Sequence, residues 1–107
     1  MQKQELSMLC LARKAGKIIL GFDKVVEEMK NGRIKGVFYT IDLSPKSAKE
    51  LCFESQKYGL APLSLPISME EVSHALGKRS GVIALTDEGF AKKIATYHAQ
   101  EPESDKE

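Results

Sequence analysis

The sequence predicts a three-layer α/β/α domain, in which helices and short strands alternate in the order αβαβαβαβα. Four short apolar segments, two of them β-branched or aromatic almost throughout, are typical of strands covered on both faces. Segments with helical spacing of apolar residues separate them, and the connections are short. A chain of 107 residues, with 42% apolar and 29% charged residues, suits one domain of this kind.

The first half of the chain is predicted to contain two helices, each followed by a strand. Helical spacing ends at Gly16, and the apolar run that follows it ends at Gly21. Asp23 is expected to cap the second helix, which Asn31-Gly32 terminates. The predicted order is a helix over residues 3–15, a strand over 17–20, the helix that Asp23 caps, and a strand over 36–41.

The second half of the chain repeats this alternation. Ser44 followed by Pro45 marks a helix start, because proline suits the first helical position. Ser68 and Glu71 have the spacing of a capping box, and Asp87 is expected to cap the last helix. The predicted order is a helix ending at Tyr58-Gly59, a strand over 61–65, a helix from Ser68 to Gly77, a strand over 81–86, and the helix after Asp87.

Charge is unevenly distributed along the chain, although the net charge is only +1. Residues 99–107 carry four acidic residues against Lys106, which predicts an acidic disordered tail after a domain of residues 1–98. Residues 1–36 carry eight Lys or Arg against four acids, which favours a polyanionic partner. No apolar run suits a bilayer span or a secretory signal. The sequence therefore predicts a cytoplasmic protein without a membrane partner, expected to be a monomer.

Catalytic and metal chemistry find little support in the sequence. Asp42 and Asp87 follow predicted strands, where sheets of this class bind ligands, but neither has a partner at motif spacing. Turn formation and helix capping are the preferred interpretations, and a small enzyme built on one of these carboxylates is an alternative. Cys10 and Cys52 lie among apolar residues, at no metal-binding spacing. The sequence thus predicts no catalytic site, no metal site and no cofactor.

The strongest candidate site, from the residues alone, is the start of the second predicted helix. A helix N-terminus presents free backbone N–H groups and a positive dipole end, which suit phosphate. Gly21 lets a ligand approach the backbone closely, and Lys24 adds a cation. The alternative is an ordinary solvated helix face, on which Lys24 pairs with Glu28 one turn further on.

Several short motifs, taken in their order, resemble the ribosomal protein L-seven-Ae family, whose members bind RNA kink-turns. The matching segments are LARKAGK (11–17), GFDKVVEEMKNGRIK (21–35), VFYTIDLSP (37–45), AP (61–62), PISMEE with LGK (within 66–78) and VIALTDEGFAKKI (82–94). The last segment favours the bacterial YlxQ-type branch of the family. The resemblance implies an α/β/α sandwich around a mixed four-stranded sheet.

The resemblance also implies two RNA-binding loops. The loop at the start of the second helix would read the tandem sheared G·A pairs of a kink-turn through Gly21, Asp23, Lys24 and Glu27. An apolar loop, expected to be exposed and to pack on flipped-out bases, comprises Pro66, Ile67 and Ser68. Phosphate contacts that give salt-sensitive affinity are expected from Lys17, Lys30, Arg33 and Lys35.

The first loop departs from the family pattern at three positions. Asp23 replaces an asparagine, Lys24 a glutamate and Glu27 a lysine. Lys24 can donate to guanine O6 and N7, while Glu27 can accept from guanine N–H groups, so a reversed contact is chemically feasible. We therefore expect a non-catalytic ribonucleoprotein component that binds a kink-turn or ribosomal RNA, associated with the ribosome or translation factors. A protein-binding adaptor in translation that has lost RNA recognition is the alternative.

Overall fold

The computed structural model describes residues 3–99, and describes side chains as far as residue 96. The elements are α1 (Gln4–Lys14), β1 (Ile18–Leu20), α2 (Phe22–Lys30), β2 (Gly36–Thr40), α3 (Pro45–Gln56), β3 (Leu63–Leu65), α4 (Met69–Leu76), β4 (Val82–Leu85) and α5 (Glu88–Ala99). This is the predicted order, with each strand one or two residues shorter than predicted. Beyond Ala99, the predicted acidic tail lies outside the described residues.

Local capping chemistry confirms the predicted starts of α3, α4 and α5. The Ser44 hydroxyl accepts a hydrogen bond from the Ser47 N–H at 3.2 Å, with proline in the first turn. Ser68 forms the full capping box of α4. The Asp87 carboxylate accepts from the Phe90 N–H at 3.0 Å. In each case a side chain satisfies a backbone donor that the helix leaves unpaired.

The predicted start of α2 is wrong, because Gly21 rather than Asp23 is its N-cap residue. Gly21 has φ 106° and ψ 139°, so the chain leaves β1 through a backbone conformation that favours glycine. No side chain of the described residues caps this helix start. Asp23 lies inside the first turn, where a carboxylate interacts favourably with the positive end of the helix dipole.

The four strands form one mixed sheet in the order β1-β4-β2-β3. Antiparallel pairs join β1 to β4 and β4 to β2, while β2 and β3 are parallel. All residues of β4 are buried, as expected of a strand covered on both faces. These findings confirm the predicted α/β/α architecture and the mixed sheet that the family resemblance implied.

Two apolar clusters pack the helices on opposite faces of the sheet. One unites α1, α4 and α5 with the sheet, and Leu9 and Ile94 are fully buried in it. The other packs α2 and α3 against the second face through Val25, Met29 and Leu51. In the described part of the chain, no helix is long and apolar enough to span a membrane.

The strand directions divide the connecting loops between two edges of the sheet. Because β1, β2 and β3 run one way and β4 the other, we call the edge where β1, β2 and β3 end the carboxyl edge. The opposite edge, the amino edge, carries the α1–β1, α2–β2 and α3–β3 connections and the start of α5. This division decides which of the predicted site residues lie together.

Candidate nucleic-acid interface

The start of α2 lies at the carboxyl edge and is open to solvent. The Gly21 N–H bonds to the Val82 carbonyl at 3.1 Å, which fixes the end of β1 against β4. Since no side chain caps the helix, the first-turn N–H groups are available to an external acceptor. Lys24 and Glu27 are exposed and three residues apart, so they share a helix face.

Lys24 does not form the i, i+4 ion pair with Glu28 that the alternative interpretation of this helix required. Glu28 instead lies 3.6 Å from Arg33, measured from Oε1 to Nε. Among the described residues, Lys24 has no ion-pair partner. Its charge is therefore free to meet an external anion, while that of Arg33 is partly compensated.

The loop from Pro66 to Ser68 also lies at the carboxyl edge, but the expected exposure of Ile67 is wrong. The Ile67 side chain is 0% exposed and belongs to the core formed with α1, α4 and α5. Its carbonyl accepts from the Ile41 N–H at 3.0 Å, which ties the loop to the end of β2. Only backbone groups of Ile67 remain for a ligand, so the Pro66 ring is the apolar surface of this loop.

Polar contacts hold this loop in place from two sides. The Ser68 N–H donates to the Glu71 carboxylate at 2.9 Å, and the Glu71 N–H donates to the Ser68 hydroxyl at 3.1 Å. The Lys3 ammonium donates to the Pro66 carbonyl and lies 3.4 Å from Glu71. The Ser68 N–H and then Lys3 hold the pKa of Glu71 below its usual value. These contacts connect the loop to the first turn of α4 and to Lys3, the residue before α1.

Asp42 links the end of β2 to the start of α4. Its two carboxylate oxygens accept from the Met69 N–H at 3.1 and 3.3 Å. The Thr40 hydroxyl foremost, then the Met69 N–H and the charge of Arg79, hold the pKa of Asp42 below its usual value. Asp42 therefore has a structural role in a turn, as the sequence indicated, but its partner lies on a different helix.

Ile41 supplies exposed apolar surface at the carboxyl edge that sequence reasoning missed. Its side chain is 63% exposed, although it directly follows the buried Thr40. Its N–H bond to the Ile67 carbonyl places it beside the Pro66–Ser68 loop. The local sequence held no signal for this exposure, because residues 36–41 are apolar nearly throughout and predict a strand buried on both faces.

The residues predicted to contact RNA fall into two sets at opposite edges. The carboxyl-edge set is Gly21, Asp23, Lys24, Glu27, Pro66, Ile67 and Ser68. The amino-edge set is Lys17, Lys30, Arg33 and Lys35. The Lys17 carbonyl and the Lys35 N–H bond to Thr86 and Leu85 at 2.9 and 2.7 Å, which fixes their position at that edge. The length of α2, roughly 13 Å, separates the two sets.

Within the carboxyl edge the two predicted loops are not adjacent. β1 and β3 are the outer strands, so three strand spacings, roughly 14 Å, lie between Gly21 and the Pro66–Ser68 loop. Ile41, Asp42 and the segment 78–81 that leads into β4 occupy the space between them. The edge therefore presents a row of loops with exposed cations at Lys24, Lys78 and Arg79.

No cluster of three or more His, Cys, Asp or Glu side chains able to hold a metal ion occurs among the residues that the structure describes. Neither cysteine forms a disulfide with a described residue, and both are half-buried. The arrangement at the carboxyl edge suits recognition of an extended polar ligand, since it combines free N–H donors, cations and exposed apolar side chains.

Two known proteins are similar to this chain over most of its length. The chain is 35% identical to the RNA-binding protein YlxQ of Bacillus subtilis (strain 168) over 88 residues, which are 81% of this chain and 87% of that protein. It is 30% identical to the RNA-binding protein YlxQ of Enterococcus faecium over 92 residues, covering 86% of this chain and 88% of that protein.

A solved structure of a protein with unknown function from Bacillus halodurans C is also similar. It has a TM-score of 0.82 and 27% identity, and the match covers 92% of this chain and 100% of that chain. No family model matches the chain. The two curated relatives nevertheless match it over most of their length. The chain therefore belongs to the YlxQ-type branch of the ribosomal protein L-seven-Ae family.

Proposed function

We propose that this protein binds structured RNA, and that it recognises a kink-turn through the carboxyl edge. The observation that carries the proposal is the exposed Lys24, which has no ion-pair partner between residues 3 and 96, at a helix start whose first-turn N–H groups no side chain of that range caps. Both features suit the edges of purines and their phosphates. The relatives named as RNA-binding proteins support the same function.

In this proposal, α2 supplies the contact to bases. Lys24 donates to guanine O6 and N7, and Glu27, on the same helix face, accepts from guanine N–H groups. This is the reversed form of the family contact. Asp23 adds a negative charge beside the phosphates, so the backbone N–H groups at the helix start have to offset it. Pro66 and the exposed Ile41 offer apolar surface to flipped-out bases.

The amino-edge lysines contribute differently. An RNA bound at the carboxyl edge contacts Lys17, Lys30 and Lys35 only if one of its double-helical stems lies along the whole length of α2. Phosphate contacts there add salt-sensitive affinity without base specificity. Association with the ribosome or with translation factors is part of the same proposal, since ribosomal RNA supplies structured internal loops of the required kind.

The adaptor hypothesis has one supporting observation. Phe53 on α3 is 62% exposed, on the face of the molecule away from α1, α4 and α5. The Lys57 ammonium lies 4.9 Å from the centre of its ring, so a cation already covers part of that surface. A protein partner docking there would leave the carboxyl edge unused, and this outcome is distinguishable from RNA binding.

Binding to a kink-turn RNA, and to the same RNA with Watson–Crick pairs in place of the G·A pairs, tests the proposal. Lys24→Ala is expected to weaken kink-turn binding by about 1–3 kcal/mol, roughly 5- to 150-fold, and to reduce the preference for the kink-turn. Lys49→Ala, which removes an exposed charge from α3, is the matched control. Equal binding of both RNAs by the unaltered chain would exclude kink-turn specificity, and binding of neither would favour the adaptor.

A further inference from the structure

Three cationic side chains from different parts of the fold converge on the outer edge of β1. Arg13 from the end of α1, Lys24 from α2 and Lys78 from the α4–β4 connection line a groove of about 380 Å³. The floor of the groove is formed by residues 18–20 of β1. Among the residues that the structure describes, no acidic side chain lines it. We call it the β1 groove.

The backbone of β1 adds hydrogen-bond donors to the same groove. Within residues 3–99, β1 pairs only with β4, so its other side is an outer strand edge of the described sheet. The Lys17 carbonyl and the Gly21 N–H both bond towards β4. Because backbone groups alternate sides along an antiparallel strand, the N–H and C=O groups of Ile18 and Leu20 both point away from β4, so the two N–H groups are donors on the groove side.

The three cations of the β1 groove are not compensated by acidic side chains within the part of the chain that the structure describes. None of them forms an ion pair with a described residue. Three like charges around one concave surface repel each other, and an anion in the groove relieves that repulsion. Cations combined with outward N–H groups are the donors that phosphate oxygens accept best.

We propose that the β1 groove binds the phosphodiester backbone of the RNA strand that flanks the kink contacted by α2. The proposal rests on the proposed function, because Lys24 belongs both to the helix start and to the groove. One strand can thus pass from the base contacts of α2 directly onto Arg13 and Lys78. The groove extends the RNA-binding surface away from the Pro66–Ser68 loop, along the opposite outer strand.

Two other roles for the β1 groove have to be distinguished from phosphate binding. A peptide strand added to β1 would use the same backbone groups, but the three residues of β1 offer a very short template. Lysine and arginine beside an edge strand also discourage pairing between chains, and this role requires no ligand. The two roles differ from phosphate binding in salt dependence, so a binding experiment separates them.

The test measures affinity for a kink-turn RNA across a salt series, with the full-length protein. The double variant Arg13→Gln/Lys78→Gln is compared with Lys46→Gln/Lys49→Gln, which removes two exposed charges from α3. We expect the slope of log affinity against log salt to fall by about 0.7–0.9 for each groove cation removed, and to change little in the control. An RNA shortened on the flank beside α2 should abolish the difference between the unaltered chain and the groove variant.

Amide NMR spectra provide the second readout and the check of folding. Addition of the full-length RNA should shift the amide signals of Ile18 and Leu20, and the shortened RNA should not. The variant must retain the melting temperature and the remaining amide spectrum of the unaltered chain. Equal salt slopes for the unaltered chain and the groove variant would contradict phosphate binding in the β1 groove. So would a difference between them that persists with the shortened RNA. Either result would leave RNA binding through α2 in place. No RNA binding by the unaltered chain would overturn both proposals.

Discussion

At the scale of single residues, Gly21 sets the geometry of the α2 start. Its φ of 106° and ψ of 139° place it outside the regions open to other residues, and a Cβ there would meet no other atom within 4 Å. The requirement for glycine is therefore conformational rather than steric. This conformation turns the chain from β1 into α2 and leaves the first-turn N–H groups uncovered.

Gly21→Asn is expected to lower the free energy of unfolding by about 1–3 kcal/mol, the usual cost of such a backbone conformation for a residue with a side chain. The matched control is Gly32→Asn, at φ 73°, because asparagine tolerates the left-handed helical region better than most residues. Urea unfolding of the two variants measures the difference. Similar losses in both variants would contradict the importance of the Gly21 conformation.

Ile67 shows why a single site residue is hard to assign from sequence. An apolar residue between a proline and a helix cap is typical of an exposed loop, so the local sequence predicts that Ile67 is exposed. Its burial depends on α1 and α4 closing over it, and on the Ile41 N–H that holds its carbonyl. None of these partners is near in the sequence. The exposed isoleucine is instead Ile41, although its local sequence continues a buried strand.

At the scale of elements, the helix starts were predictable where the capping residue and its partner are neighbours. Ser44, Ser68 and Asp87 each accept from an N–H three residues on, so the spacing is visible in the sequence. Within the described residues the start of α2 has no such side chain, and Asp23, which has the residue type of a cap, lies inside the first turn instead. The bond from Met69 to Asp42 spans 27 residues and was not predictable.

Acid should weaken the start of α4, because Asp42 and Glu71 lose their charges there. Both pKa values are lowered in the folded state from ordinary values of 3.8 and 4.5, so the charged forms stabilise the fold. That stability is present above the ordinary values and is lost as the pH falls through and below them. The unfolding free energy should therefore decrease between about pH 5 and pH 3.

The double variant Asp42→Asn/Glu71→Gln is expected to be less stable at neutral pH by about 1 kcal/mol and to show a weaker dependence on acid. Urea unfolding at pH 7, 5, 4 and 3 measures both effects. Glu50→Gln removes an exposed carboxylate from α3 and should keep the acid dependence of the unaltered chain. An acid dependence that the double variant does not weaken would show that these carboxylates do not stabilise α4.

At the scale of the whole molecule, the strand order explains why the predicted RNA-contacting residues lie at two opposite edges of the sheet. The sequence predicts the helix, strand or loop to which each RNA-contacting residue belongs. It does not predict at which of the two edges of the sheet that residue lies. The order β1-β4-β2-β3, with β4 reversed, arises from pairings between distant strands. It brings Lys78 and Arg13 to Lys24, and it places Lys17 and Lys35 at the other edge.

The most direct test of this account compares the two edges with the same RNA. One variant carries Lys24→Gln, Lys78→Gln and Arg79→Gln at the carboxyl edge. The other carries Lys17→Gln, Lys30→Gln and Lys35→Gln at the amino edge, and so removes the same charge. At 0.15 M salt, where exposed charges are screened beyond about 8 Å, the carboxyl-edge variant should lose about 100-fold in affinity for a kink-turn RNA and the amino-edge variant only a few-fold. An equal or larger loss in the amino-edge variant would contradict the account.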